Sequence, residues 1–368
     1  MKILHVVNSL EPGGMENGVV NMARALERRG FEIHVACLER LGAFAARLPH
    51  PERAVILGKG HGFSPAATWR LARHLTLLRP DIVHSHNLGA LIYSGLATLG
   101  GTRCRLIQGE HSKLTEAERS PRRLRQRRIL YRGCRAIHTV SEAMREELIA
   151  SGFPAEKISA IANGVDTSRF APGDRGAARR ALSLPEEALV VGIVGRFGAY
   201  KRHGMLLEAF EEIAPRFPTA HLLIAGAGGP EEAKITTRAR SSIFRERIQL
   251  TGFQNDPRTC YRALDLLAIP SVNEGLSNVA LEAMACGIPV LAQAGCGHEQ
   301  VITHDADGWI AGLDSPSRLA AQLAELLAQP ARLVDFGANA RKKVESQFSI
   351  ESMIHAYEQL YRASSPPR

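Results

Sequence analysis

In VGRFGAYKRHG, Arg196 and Lys201 stand five residues apart in the stretch that follows a short apolar run, with Gly195 just ahead of them. A guanidinium fork and an ammonium point charge aimed at one place suit a diphosphate, whose charge grows as a bond to it breaks. The same pair also fits an ordinary solvated surface. Farther on, SVNEGLSNVALEAMACG puts Glu274 in a loop beside Gly275, then Leu276, Ser277 and Asn278, and Glu282 on the helical pattern that follows. Carboxylates accept from vicinal hydroxyls, and Gly275 lets backbone N–H groups approach a small polar ligand. Two glutamates near a helix start equally suit the helix dipole. Gly13 and Gly14 in NSLEPGGMENG lie between a strand and a helix, where backbone N–H groups favour an anion. A tight turn with positive φ is the other reading of that pair. Their spacing is not G-x-G-x-x-G, so the dinucleotide fingerprint is missing.

These residues need strands to carry them. Short β-branched runs at 2–7, 32–37, 81–85, 105–108, 135–140 and 158–161 alternate with helical patterns at 15–29, 88–99, 120–132 and 142–150, the last capped by Ser141. NGVDTSRFAPGDRGAARRALSLP then breaks the rhythm with turn formers and charge. A second alternation follows, with strands at 189–194, 221–225, 248–250, 266–270 and 290–292 and helices at 204–216, 257–264, 278–286, 316–328 and 331–346. Ser277 and Gly287 read as the caps of the helix that carries Glu282. The expected fold is α/β, two Rossmann-like doubly wound domains facing a deep cleft. Their expected bounds are 1–168 and 169–346, with an amphipathic helix over 347–368 crossing back to the first domain.

Composition agrees with that class. Hydrophobic residues make up 45% of the 368 and aromatics only 5%, which favours helices packed on parallel sheets over an all-β sandwich. The six cysteines are scattered without a C-x-x-C and read as reduced and buried. No segment reads as a signal peptide or a membrane span, so a cytoplasmic protein is expected. The net charge is +9, and Arg119, Arg122, Arg123, Arg125, Arg127, Arg128, Arg132 and Arg135 account for nearly all of it. Such a local patch points to a local anionic partner rather than to a surface that coats nucleic acid.

Taken together, the motifs resemble glycosyltransferase family 4, the retaining enzymes of GT-B fold. Glu274 to Ala292 resembles its E-x7-E segment, PGGMENGVV its N-terminal glycine loop, and DIVHSHN its middle strand. NGVDTSRF resembles its pre-linker motif, GRFGAYKR its diphosphate loop and TGF its base-side turn. The resemblance implies that Arg196 and Lys201 bind the donor diphosphate, Glu274 the sugar hydroxyls and Glu282 the ribose. It further implies that Gly14 approaches the diphosphate, that Gly252 and Phe253 lie beside the base, and that His111, in QGEHS, contacts the donor sugar. The catalytic set is then Glu274, His111, Arg196 and Lys201, and Glu299 fills an acidic position without an assigned role. The implied activity is metal-independent, retaining transfer from a nucleoside-diphosphate sugar to a glycan or lipid-linked acceptor, as in bacterial exopolysaccharide or cell-envelope assembly. No cofactor is expected beyond that co-substrate.

Three features stand outside this scheme. His84 and His86 share a strand face and read as packing. Asp305 and Asp307 form a D-x-D that in GT-A enzymes would hold a metal; their place before a strand reads instead as a polar turn. Arg122, Arg123, Arg125, Arg127 and Arg128 form a basic helix without an apolar stripe, read either as a solvated face or as an acceptor-side patch for the inner face of the plasma membrane. The other function classes the sequence allows are another GT-B enzyme, such as an epimerase or phosphorylase, and a non-catalytic protein that binds anions or nucleic acid through that patch.

Overall fold

The computed structural model describes residues 1–100, 103–272 and 276–365. The chain divides into two compact units, Met1–Asn163 with Glu351–Arg368, and Gly164–Ile350.

The first unit is built on a sheet of β1 (Lys2–Ser9), β2 (Glu32–Arg40), β3 (Ala54–Ile56), β4 (Ile82–His86), β5 (Arg105–Glu110), β6 (Cys134–Thr139) and β7 (Ile158–Ala160). Its order is β3-β2-β1-β4-β5-β6-β7, and every neighbouring pair is parallel. The second unit contains β8 (Leu189–Val194), β9 (Ala220–Ala225), β10 (Ile248–Gly252), β11 (Leu266–Ile269), β12 (Val290–Gln293) and β13 (Gly308–Ala311). Their order is β10-β9-β8-β11-β12-β13, again all parallel. Parallel strands joined by helices are covered on both faces, which is why runs such as LVVGIV and LLAI are apolar without alternation. In each sheet the connections change direction at one place, between β1 and β4 and between β8 and β11. Loops at the carboxyl ends of strands flanking such a reversal leave a crevice for a ligand.

Local chemistry accounts for several helix starts. Ser141, Ser277 and Ser315 each cap a helix by accepting from a backbone N–H of its first turn. Three helices escape the sequence periodicity. Pro65–Leu78 buries Ala67, Leu71 and Leu75 one turn apart, but exposed Trp69 and Leu77 blur its stripe. Glu232–Ser241 buries only Ile235 and Ala239. Arg175–Ala181 lies inside the expected linker, capped by Asp174 and anchored by Arg179, whose buried guanidinium meets Asp265 at 2.6 Å. The C-terminal helix, Ile350–Ser364, buries Met353, Ile354, Tyr357 and Tyr361 and belongs to the first unit.

Candidate active site

In the second unit, the loop after β8 carries the two cations. It turns tightly: Gly195 has φ +148° and donates to Ala225 O at 2.9 Å, while Phe197 donates to Gly228 O at 2.8 Å. The loops are so close that a Cβ on Gly226 would lie 2.0 Å from Gly195 O. Phe197 is buried against the His203 ring, centroids 4.7 Å apart, which anchors the loop from below. Burial, with the Lys201 charge nearby, pushes the His203 imidazole down to about 4, so it stays neutral. On this base, Lys201 ends a short turn, Ala199–Lys201, and Arg196 is exposed. Arg196 forms no ion pair or side-chain hydrogen bond among the described residues, so its guanidinium remains available to a ligand.

The segment after β11 meets this loop. Val272 N donates to Tyr200 O at 3.0 Å, which ties the two loops together at the carboxyl ends of neighbouring strands. Glu274 and Gly275 lie outside the described residues. Leu276 is buried, Ser277 caps the helix Asn278–Ala285, and that helix carries Glu282. The Glu282 carboxylate accepts from the Tyr261 hydroxyl at 2.6 Å. Burial first, and the Glu282 charge second, hold the Tyr261 phenol well above its ordinary value, so it remains a donor. Thr251–Phe253 closes β10: Gly252 has φ +66° and accepts from Gly226 N at 2.9 Å, and Phe253 is half exposed. Glu299, unassigned from sequence, accepts from the backbone of Gly295 and Gly297 and holds that loop together. The second unit therefore gathers Arg196, Lys201, Ser277 and Gly252 onto loops and a helix start at one end of its sheet.

In the first unit, Gly13 precedes the helix Gly14–Glu27. Its backbone is extended, so left-handed strain does not explain the glycine. A Cβ there would lie 2.2 Å from a Glu16 carboxylate oxygen, the far end of a side chain that can swing aside. The acid of the first turn thus folds back over the helix start, as the dipole favours. At the end of β4, Asn87 is left-handed (φ +64°), a conformation that costs free energy in any residue but glycine. Its side chain is put to use, with Oδ1 accepting from the backbone N–H of His111 at 3.1 Å. His111 lines a small pocket with Gly14, Met15, Asn163, Met353 and Tyr357.

Behind His111 lies a feature that sequence reading largely missed. His84 and His86 are buried, as packing predicts, but they do not pack alone. His86 Nε2 is 3.0 Å from His5 Nδ1, and His86 Nδ1 is 2.8 Å from His111 Nε2. His84 bonds Tyr361 Oη at 2.7 Å and His138 Nε2 at 2.8 Å. Burial holds His5 down to about 3, His138 to about 3 and His111 to about 4, and the buried neighbouring imidazoles add to the effect for His5 and His138. Ring nitrogens of His5, His84 and His86 lie within 4.8 Å of one another, a spacing compatible with a shared cation. Both ring nitrogens of His84 and His86 and Nδ1 of His5 are already engaged in hydrogen bonds, which leaves His5 Nε2 as the one nitrogen of the three rings without a partner among the described residues. The sequence signal was present in HSH at alternating positions, but His5 and His138 come from other strands.

On the opposite face of β5, Glu110 is buried and accepts from Tyr131 Oη at 2.6 Å and Arg127 Nη1 at 2.6 Å. This corrects the reading of the basic helix, Pro121–Gly133. Arg127 is 1% exposed and also pairs with Glu118 at 2.7 Å, so it braces the helix to the sheet and offers no charge to a surface partner. Arg128 is exposed and reaches Ser151 O, while Arg122, Arg123 and Arg125 remain on the surface. The D-x-D is a turn: buried Asp307 pairs with Lys343 at 2.9 Å and accepts from Thr303 N, and Asp305 pairs with Arg332.

Residues 12–169 match the family profile described as Glycosyltransferase Family 4, and residues 174–343 match that described as Glycosyl transferases group 1. D-inositol 3-phosphate glycosyltransferase 2 of Catenulispora acidiphila is 27% identical over 376 residues, covering 92% of this chain and 87% of that one. D-inositol 3-phosphate glycosyltransferase of Actinosynnema mirum is 29% identical over 391 residues, covering 95% and 93%. The crystal structure of Anabaena Alr3699/HepE in complex with UDP-glucose superposes with a TM-score of 0.86 at 22% identity, over 99% of this chain and all of that one. At that identity the likeness shows the fold, the paired Rossmann-like sheets of GT-B.

Proposed function

The chain belongs to glycosyltransferase family 4, and from that premise we propose that it transfers a sugar, with retention, from a nucleoside-diphosphate donor to a glycan or lipid-linked acceptor in bacterial exopolysaccharide or cell-envelope synthesis. The observation that carries the donor half is the hydrogen bond from Val272 N to Tyr200 O, which joins the Lys201 loop to the segment leaving β11 at the carboxyl ends of β8 and β11, where a doubly wound sheet offers a ligand site. In this reading Arg196 and Lys201 hold the diphosphate and stabilise its growing charge as the glycosidic bond breaks. Glu282 holds the ribose, with Tyr261 steering its carboxylate. The turn at Gly252 and Phe253 meets the base, and Glu274 and His111 meet the sugar. UDP-glucose in the similar Anabaena protein supports a nucleotide-sugar donor. Two fixed cations make a metal ion unnecessary for charge neutralisation, so turnover should survive a chelator.

The test is a melt of the protein against nucleotides and sugar nucleotides, followed by product analysis with the donor that binds. A ligand at 100 times its Kd adds about 2.7 kcal/mol of stability. A panel with no shift would remove the central assignment. Product with the anomeric configuration inverted would remove retention, and turnover without an acceptor would point to an epimerase. A second reading of the acceptor has its own support: the relatives that match over nearly the whole chain are named for D-inositol 3-phosphate. Parallel assays with that compound and with a lipid-linked glycan separate the two. The surface arginines Arg122, Arg123, Arg125 and Arg128 belong to the lipid-linked reading, since each basic residue near an anionic membrane contributes roughly 1 kcal/mol. No helix among the described residues is long and apolar enough to cross a membrane.

A further inference from the structure

The chain of rings His5, His86 and His111 has a direction. Two hydrogen bonds join three imidazoles, Nδ1 of His5 to Nε2 of His86 at 3.0 Å and Nδ1 of His86 to Nε2 of His111 at 2.8 Å. A neutral imidazole carries one N–H and one lone pair, so each ring that donates at one nitrogen must accept at the other. Only two arrangements are then self-consistent. In one, every ring is protonated at Nδ1 and the bonds run from His5 towards His111. In the other, every ring is protonated at Nε2 and they run back.

The far end decides between them. His5 Nε2 is buried and has no hydrogen-bond partner among the described residues. The backward arrangement would strand an N–H there; the forward one strands a lone pair. Orphaned buried N–H groups are the rarer and costlier case. Proton loss or gain does not spoil the count, because burial among other imidazoles keeps the rings neutral.

We propose that His5 and His86 are positioning residues that lock His111 into its Nδ1–H form, with Nε2 occupied as an acceptor and Nδ1–H the donor it offers to its pocket. The ligand suited to that donor is one presenting a hydroxyl or ether oxygen, which in the family reading is a hydroxyl of the donor sugar. A second feature holds the same residue from its backbone side, where left-handed Asn87 accepts from His111 N at 3.1 Å. The ring and the main chain of His111 are thus each held by residues at the end of β4. His84 does not join this chain; it bonds Tyr361 and His138. The role assigned to His111 rests on the glycosyltransferase reading, but the tautomer does not.

Long-range 1H–15N correlation spectra of 15N-labelled protein at pH 7 read the tautomer of each ring directly. The expected result is Nδ1–H at His5, His86 and His111. His111 protonated at Nε2, or doubly protonated, would overturn the proposal, and this measurement needs no variant to fold. Substitution adds a second arm. In His86→Asn the side-chain amide puts an N–H near the place of Nδ1, whereas His86→Leu has none. Turnover should fall in His86→Leu by roughly three- to tenfold, the worth of one neutral hydrogen bond, and recover in His86→Asn. Equal losses in two variants that melt alike would refute positioning. His111→Ala with normal turnover would instead remove the sugar contact while leaving the ring chain intact.

Discussion

Replacing Arg127 with methionine should destabilise the first unit far more than replacing any of the exposed arginines of the basic helix. Its guanidinium sits 1% exposed between Glu110 at 2.6 Å and Glu118 at 2.7 Å, and Glu110 is itself 3% exposed. Methionine fills similar volume but leaves the Glu110 carboxylate with the hydroxyl of Tyr131 and the amide of Gln108 as its donors. Breaking a buried pair from one side costs about 3–5 kcal/mol. For a unit of this size that corresponds to roughly 6–20 °C, at about 2–4 °C per kcal/mol. Burial already pushes the Glu110 carboxyl up, with Arg127 opposing it. Without Arg127 the folded form holds its proton more tightly than the unfolded chain does. Protonation then favours the fold below the unfolded value, and this help is lost as pH rises. The deficit of Arg127→Met against wild type at the same pH should therefore shrink between pH 7.5 and 5. Adding Glu110→Gln should restore most of the loss at pH 7.5. Melts of the two variants and of Arg123→Ala, which should cost under about 0.5 kcal/mol, make the comparison. A loss at Arg127 no larger than at Arg123 would refute the bracing role and return Arg127 to the surface patch.

Arg196→Ala and Lys201→Ala should each lower kcat/KM for the donor by about 30-fold to a few thousandfold, the 2–5 kcal/mol of a lost charge partner; near-normal steady-state kinetics in either would sink the diphosphate assignment. Tyr261→Phe removes a 2.6 Å bond to Glu282 and should cost about 1.5–3 kcal/mol and raise the donor KM. A lower melting temperature with an unchanged KM would confine that bond to stability. The first unit should also be sensitive to acid. Its buried histidines are held below 6.5, to about 3 for His5 and His138 and about 4 for His111, so the unfolded chain binds protons that the fold refuses. Stability is full above pH 6.5 and falls as pH drops towards those values, by about 2 kcal/mol per histidine between pH 7 and 5. Denaturant titrations at the two pH values would expose the slope, and a flat response would mean that the rings are already charged in the fold.

Much of the architecture was legible because it is written locally. β8 was read to the residue, and the loop of Arg196 and Lys201, the cap Ser277 and the helix carrying Glu282 were placed between the right elements, since apolar runs, capping serines and glycine turns act within one or two turns of chain. Pro65–Leu78 and Glu232–Ser241 were lost because exposed apolar or charged residues dilute the stripe they bury. Gly13 was read as a turn needing positive φ or as an anion site, and its extended backbone removes the first of these reasons.

The order of residues alone was enough for the class of fold, two parallel sheets, and for the family, because strand ends and the motifs on them are short-range patterns. It could not say that His5, His84, His86, His111 and His138 form one cluster. These side chains come from or follow four strands, and His5 pairs with His84 only through the register of β1 on β4. Nor could it separate Arg127 from its exposed neighbours, since all are arginines on one helix and only packing against β5 removes one of them from water. Chain-local physics sets the strands and their loops, whereas burial, and with it the protonation of every histidine in the cluster, exists only once distant strands have met.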